Sequence, residues 1–194
     1  MSTIDYYNQN SEQYISSTQT LDFSAIQEEF LCLLKPDSYI LDYGCGSGRD
    51  TRYFLNRRFR VDAVDGSEEM VRAASVFTGI EVRKMNFEEL NVVEIYDGIW
   101  ACASILHVPL MEISDIFKRM KNALKQNGIL YASFKYGDFA GERDERYFTD
   151  MTADRLHQLL EPVPELRILK LWYSEDVRVD RENETWLNVL LRKQ

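Results

Sequence analysis

From residue 37 onward, short β-branched and apolar runs alternate with stretches of helical periodicity. Runs at 39–41, 61–64, 80–82, 95–102 and 129–134 read as five strands. The run GIWACASIL (98–106) is apolar at consecutive rather than alternate positions, the mark of a strand covered on both faces. Helices are expected over 50–58, from Ser67 onward and over 111–125. Ser67 is placed to cap its helix, with Glu68 and Glu69 favourable in the first turn, and Asn127-Gly128 reads as a C-cap pair. Two helices precede this core, at 6–14 and 24–34. After it come a polar stretch at 137–146, a helix at 153–161 and strands near 166–172 and 185–191. Strand and helix in strict succession predict an α/β fold, a mostly parallel sheet with helices on both faces. No internal repeat, low-complexity tract or linker interrupts the 194 residues, so one domain is expected.

Composition narrows the function classes. The net charge is -9 and basic residues occur only in short clusters such as Arg57-Arg58 and Arg192-Lys193, which argues against nucleic acid as a partner. Cys32, Cys45 and Cys102 are odd in number and far apart, and there are two histidines, His107 and His157, so neither a disulfide framework nor a metal centre is expected. The longest apolar runs are too short to cross a bilayer, and MSTIDYYNQN lacks the features of a secretion signal, so the expectation is a cytoplasmic protein with no membrane contact.

The sharpest signal is ILDYGCGSGRD at 40–50. Closely spaced glycines between a strand and a helix let a ligand approach the backbone without Cβ clashes. Asp65, 21 residues after Gly44 and at the end of the second strand, stands where a carboxylate accepts hydrogen bonds from ribose hydroxyls. Together they point to a cofactor containing adenosine. The dinucleotide fingerprint requires glycine three residues after its second glycine, and Arg49 occupies that position, which disfavours a nicotinamide cofactor. The spacing present is G-x-G-x-G, preceded by Asp42 within the strand.

ILDYGCGSGRD resembles the first motif of class I S-adenosylmethionine-dependent methyltransferases, and VDAVDGSEEM resembles their second-strand motif. The likeness continues through MNFEEL, YDGIWACASILHVP and ALKQNGILYASFKYG, with the flavour of small bacterial type 11 and tellurite-resistance-like methyltransferases. It implies a Rossmann-like, doubly wound sheet of seven strands with an antiparallel terminal strand. It implies a division of the one domain into covering helices (1–36), a cofactor-binding core (37–136) and a lid with closing strands (137–194). The implied cofactor is S-adenosyl-L-methionine, leaving as S-adenosyl-L-homocysteine. Asp42 would order the loop or reach the methionine end, with Gly44, Cys45, Gly46 and Arg49 along the loop, Asp65 on the ribose and Gly66 beside it. Met70, Asn86 and Phe87 would face the adenine, and Ala101 would flank the cofactor from the fourth strand.

Methyl transfer from a sulfonium is an in-line displacement on an activated carbon, so a base is needed only where the nucleophile must lose a proton. His107, the histidine at the edge where the ligand crevice should lie, is the candidate catalytic residue. Lys135, Tyr136, Arg143, Arg146 and Tyr147 are candidates for substrate contacts from the polar edge. Aromatic faces suit a sulfonium cation, so Tyr6 or Tyr14 is expected near the methionine end. Trp172, Arg178 and Trp186 lie near the closing strands, within reach of the same pocket. The resulting expectation is methyl transfer to a small-molecule acceptor at oxygen, nitrogen or a chalcogen, by a monomer or homodimer. The alternative is a cofactor-binding sensor or partner subunit without transferase activity.

Overall fold

Seven strands form one sheet in the order β3-β2-β1-β4-β5-β9-β8, in a computed structural model that describes residues 2–178, 181 and 184–194. The strands are β1 (Tyr39–Tyr43), β2 (Arg60–Asp65), β3 (Arg83–Lys84), β4 (Tyr96–Ala101), β5 (Leu124–Lys135), β8 (Leu166–Glu175) and β9 (Thr185–Lys193). Pairs β1–β2, β2–β3, β1–β4 and β4–β5 are parallel, while β9 runs antiparallel to both β5 and β8. The last strand of the chain is therefore the one reversed strand of the seven. The order turns back between β1 and β4, which opens a crevice above their carboxyl ends.

Alternate residues of each central strand feed opposite faces, which explains the unbroken apolar runs. Leu41, Tyr43, Ile99, Ala101, Leu130 and Ala132 pack on one side with α6 (Leu110–Ala123) and α7 (Ala153–Leu160). Ile40, Trp100, Ile129 and Tyr131 pack on the other with Phe30 and Leu31 of α3 (Ser24–Leu31) and Phe54 of α4 (Arg49–Asn56). Within this second layer the Trp100 and Tyr131 rings stack at 4.0 Å, and the Tyr131 hydroxyl donates to Asn188 Oδ1 at 2.7 Å. Asp50 is buried in the same layer. It accepts from Gln27 Nε2 (2.6 Å), Arg49 Nε (2.8 Å) and Nη2 (2.9 Å), and Trp100 Nε1 (2.8 Å).

Several expected boundaries shift for identifiable reasons. The stretch 6–14 is two helices, α1 (Thr3–Gln9) and α2 (Ser11–Thr18), broken at Asn10, whose side-chain amide bonds back to the Tyr6 carbonyl at 2.9 Å. The third strand follows 80–82 rather than occupying it. Asn127-Gly128 does not cap a helix. Helix α6 ends at Ala123, and Asn127, with φ of 65°, sits where the β4–β5 register jumps between Leu124 and Ile129. The polar stretch is a hairpin of β6 (Ala140–Arg143) and β7 (Arg146–Thr149). Its two turn residues, Asp144 and Glu145, both have positive φ, the mirror-image turn that matches strand twist, here without the usual glycine.

Gly48 joins the loop to α4 with φ of 81°, and a Cβ there would lie 2.8 Å from Thr78 Cγ2 and 3.1 Å from Ala74 Cβ of α5 (Glu68–Thr78). Gly48→Ala must therefore strain the backbone and separate α4 from α5. Its expected cost is about 1–3 kcal/mol, read as a loss of about 2–4 °C in Tm per kcal/mol in thermal unfolding.

Candidate functional site

A cavity of about 480 Å³ lies above the crevice, roofed by the N-terminal helices and walled by β7, β8 and β9 residues. Its floor is the loop after β1. Gly44 and Cys45 both donate their N–H to the Val64 carbonyl at 2.9 Å, so the loop turns directly over the end of β2 (Arg60–Asp65). A Cβ at Gly44 would lie 2.4 Å from Ser104 Cβ, so that glycine serves close packing against β4's end. A Cβ at Gly46 would meet the Tyr14 ring at 3.4 Å, and one at Gly66 would meet Asn86 Oδ1 at 3.2 Å. These two glycines keep the cleft open to a ligand.

Asp65 is the polar centre of the floor. Its Oδ2 accepts the Gly46 N–H and its Oδ1 accepts the Ser67 N–H, each at 2.9 Å. A carboxylate oxygen has two acceptor positions, so each still has one for a hydroxyl. Burial pushes the Asp65 carboxyl up, and the backbone N–H donors oppose that shift. Adenosine fits these features: a fixed acceptor pair for ribose, and Met70, Asn86 and Phe87 lining the cavity beyond it. Asp42, by contrast, lies beneath the loop and does not line the cavity. Burial and the nearby Asp50 charge push its carboxyl up to about 8, and Thr51 Oγ1 donates to it at 2.5 Å. Its hydrogen bond ties the end of β1 to α4.

Other residues divide in the same way. Tyr14, Cys45, Arg49, His107 and Lys135 line the cavity. Tyr6 does not, and Tyr7 takes the inner place, because α1 turns Tyr7 toward the cleft with its ring 5.0 Å from that of Tyr14. Ala101 is buried within β4, and the residues that reach the cleft there are Cys102, Ala103 and Ser104. Burial pushes the Cys102 thiol up to about 12 and the Cys45 thiol well above its ordinary value, so both stay protonated. Tyr136 is 51% exposed outside the cavity. Arg143 is outside it too, paired with Asp150 at 2.9 Å, and Tyr147 contributes its backbone rather than its ring.

His107 has both ring nitrogens engaged. Nδ1 lies 2.7 Å from the Tyr147 carbonyl oxygen, which can only accept, so Nδ1 carries the proton. Nε2 then accepts from the Tyr7 hydroxyl at 2.9 Å. Burial holds the imidazole down to about 4, so it is neutral at pH 7. Arg146 approaches the same hydroxyl, its Nη1 3.5 Å from the Tyr7 oxygen. Tyr7 was hidden in the sequence among three N-terminal tyrosines, and only its position on the inner face of a helix broken at Asn10 distinguishes it.

Residues 40–128 match the family described as methyltransferase domain. The chain is 33% identical over 101 residues to N-terminal Xaa-Pro-Lys N-methyltransferase 1 of Bos taurus, a match covering 48% of this chain and 45% of that one. It thus spans less than half the length of that relative. Among solved structures, the fold superposes on 1,6-didemethyltoxoflavin-N1-methyltransferase of Burkholderia thailandensis with a TM-score of 0.78 at 20% identity, covering 98% of this chain and 87% of that one. It superposes on TehB of Haemophilus influenzae with a TM-score of 0.73 at 17% identity, covering 99% and 67%. At such identities the likeness is one of fold. Loop, acidic partner and strand order agree with the match of residues 40–128 to the methyltransferase domain, and the chain has the fold of S-adenosylmethionine-dependent methyltransferases.

Proposed function

We propose that this chain transfers a methyl group from S-adenosylmethionine to a small-molecule acceptor. The observation that carries the reading is Asp65, buried in the floor of the cavity with one acceptor position free on each oxygen, beside the Gly46 backbone. When bound, the cofactor supplies a methyl group on a sulfonium, activated for displacement. Asp65 then holds the ribose hydroxyls, Gly66 leaves the path beside them open, and Met70, Asn86 and Phe87 surround the adenine. Arg49 and the Tyr14 face lie on the far side of Gly46, toward the methionine end. The small-molecule assignment is supported by the cover that α1, α2 and β7 supply to the cavity wall. The division into covering helices, cofactor core and closing segment belongs to this same reading. The match to N-terminal Xaa-Pro-Lys N-methyltransferase 1 covers 48% of this chain and supports the methyl-transfer reading.

His107 is better suited to positioning than to proton abstraction. A base near 4 has little driving force at neutral pH, and its lone pair is already occupied by Tyr7. Its work is to anchor Tyr7, and through it α1, over the cleft. Catalysis then rests on alignment and exclusion of water around an acceptor with an available lone pair.

Two outcomes test this. By titration calorimetry, S-adenosylmethionine and S-adenosylhomocysteine bind in the micromolar range and NADH does not. Asp65→Ala weakens both by about 10- to 100-fold, the loss of charged hydrogen bonds to two hydroxyls. Absence of heat from folded wild-type protein overturns the reading. For His107, the folded value of about 4 lies below the ordinary 6.5. The unfolded chain therefore gains a proton first, and stability is lost as pH falls from 6.5 toward 4. The wild-type Tm is expected to fall over that window more steeply than that of His107→Gln. The kcat profile of the wild type shows no limb near pH 6.5, and a limb there that disappears in the variant would restore His107 as the base.

A further inference from the structure

Of the cations lining the cavity, all but Arg146 have a carboxylate partner among the described residues, with Glu184 serving both Lys135 and Arg181. Arg49 pairs with Asp50 at 2.8 Å, Arg178 with Asp176 at 2.5 Å, and Lys135 with Glu184 at 2.5 Å. Arg181 reaches Glu184 at 3.4 Å. The carboxylates Glu88, Glu112 and Glu175 stand at the solvent-exposed rim. Arg146 lines the cavity and has no carboxylate partner among the described residues. Its Nε is buried without a hydrogen-bond partner, and its Nη1 makes the 3.5 Å approach to the Tyr7 hydroxyl. Aromatic rings hold the guanidinium in place: its centre lies 4.5 Å from the Tyr6 centroid, 5.0 Å from Phe148 and 5.8 Å from Tyr7. The imidazole beside Tyr7 is neutral, and the other cations packed on Phe148, Lys135 and Arg143, are each paired with a carboxylate.

A half-buried guanidinium held by rings, with its Nε unpartnered and no carboxylate beside it among the described residues, is stabilised when an anion arrives. The edge formed by Nε and Nη2 has the fork geometry that takes a carboxylate with two parallel hydrogen bonds. We propose that Arg146 is the carboxylate-binding residue of the acceptor pocket, and that the acceptor is a planar molecule bearing a carboxylate. Planarity follows from the Tyr7, Phe148 and Trp186 rings in the same wall. A single unpaired guanidinium, with Lys135 and Arg178 already neutralised, matches a monoanion better than a phosphate dianion. The cofactor has a carboxylate of its own, on its methionine end. Arg49, three residues after Gly46 at the opening of α4 and packed on Phe23 at 4.1 Å, is the guanidinium assigned to that end, whereas Arg146 lies beyond Tyr7. This inference rests on the methyltransferase reading, and the two fail separately.

The test uses benzoate and its neutral isostere benzamide as probes, titrated into protein saturated with S-adenosylhomocysteine, with inorganic phosphate as a further probe. Wild type is expected to prefer benzoate over benzamide by tenfold or more, and over phosphate. Arg146→Gln abolishes that preference while S-adenosylhomocysteine affinity stays within twofold. Arg146→Lys, which keeps the charge but not the fork, retains only part of it. Equal binding of benzoate and benzamide to wild type, a preference that survives in Arg146→Gln, or tighter binding of phosphate overturns the proposal. A comparison of S-adenosylhomocysteine with methylthioadenosine, which lacks the amino-acid carboxylate, separates the two carboxylate sources. If Arg146→Gln weakens only the former, Arg146 belongs to the cofactor and the proposal falls. Failure of S-adenosylhomocysteine to bind wild type is the distinct failure of the cofactor reading.

Discussion

One buried carboxylate organises the layer beneath the cleft. Asp50 collects hydrogen bonds from α3, from its neighbour Arg49 and from Trp100 in the centre of the sheet, so its charge is compensated where water cannot reach. Trp100 is thereby oriented to stack on Tyr131, and Tyr131 reaches Asn188 on the reversed strand β9. A single polar network thus runs from an N-terminal helix across three strands. The same charge raises the Asp42 carboxyl next to it, which favours a protonated acid under the glycine loop. The loop's shape, and with it the location of Asp65, depends on that buried arrangement. Removing one partner of such an ion leaves its charge uncompensated, which is why the network behaves as a unit.

What the sequence made legible was whatever local chemistry alone determines. Positive-φ glycines, a carboxylate at the end of the next strand and apolar runs packed on both faces are short-range signals, and each stands where the pattern places it. The floor of the site was readable for that reason. The roof was not. Whether Tyr6 or Tyr7 points inward depends on a helix break at Asn10, and the turn at Asp144-Glu145 has no glycine to announce it. Asn127-Gly128 carried a genuine left-handed signal, at Asn127, but sheet pairing by Leu124 and Ile129 drew it into a strand irregularity instead of a helix end. Arg146 was visible as a charge in a polar stretch. Its isolation emerges only once Lys135, Arg178 and Arg181 have found their carboxylates in three dimensions.

The electrostatic design separates the two halves of the cavity. Around the loop, the Asp65 carboxylate and the Gly46 and Ser67 N–H groups form a surface without positive charge, suited to the ribose and adenine of the proposed cofactor. Toward the hairpin, paired ions neutralise one another and leave one guanidinium facing inward. An acidic chain thereby presents one guanidinium without a carboxylate partner among the described residues, which the overall charge of -9 conceals.

The cover has a kinetic consequence. Helix α1 buries no residue fully, and its hydrogen bonds to the body include Thr3 to the Tyr147 N–H, Tyr7 to His107 and Asn8 to Ser67, beside the packing of Tyr6 and Tyr7 on Arg146. Water can replace each of these bonds, at a net cost of about 0.5–1.5 kcal/mol apiece. Lifting the segment is therefore far cheaper than melting any part of the sheet. Opening of the first residues thus offers a way into and out of the cavity that leaves the sheet and the loop after β1 in place.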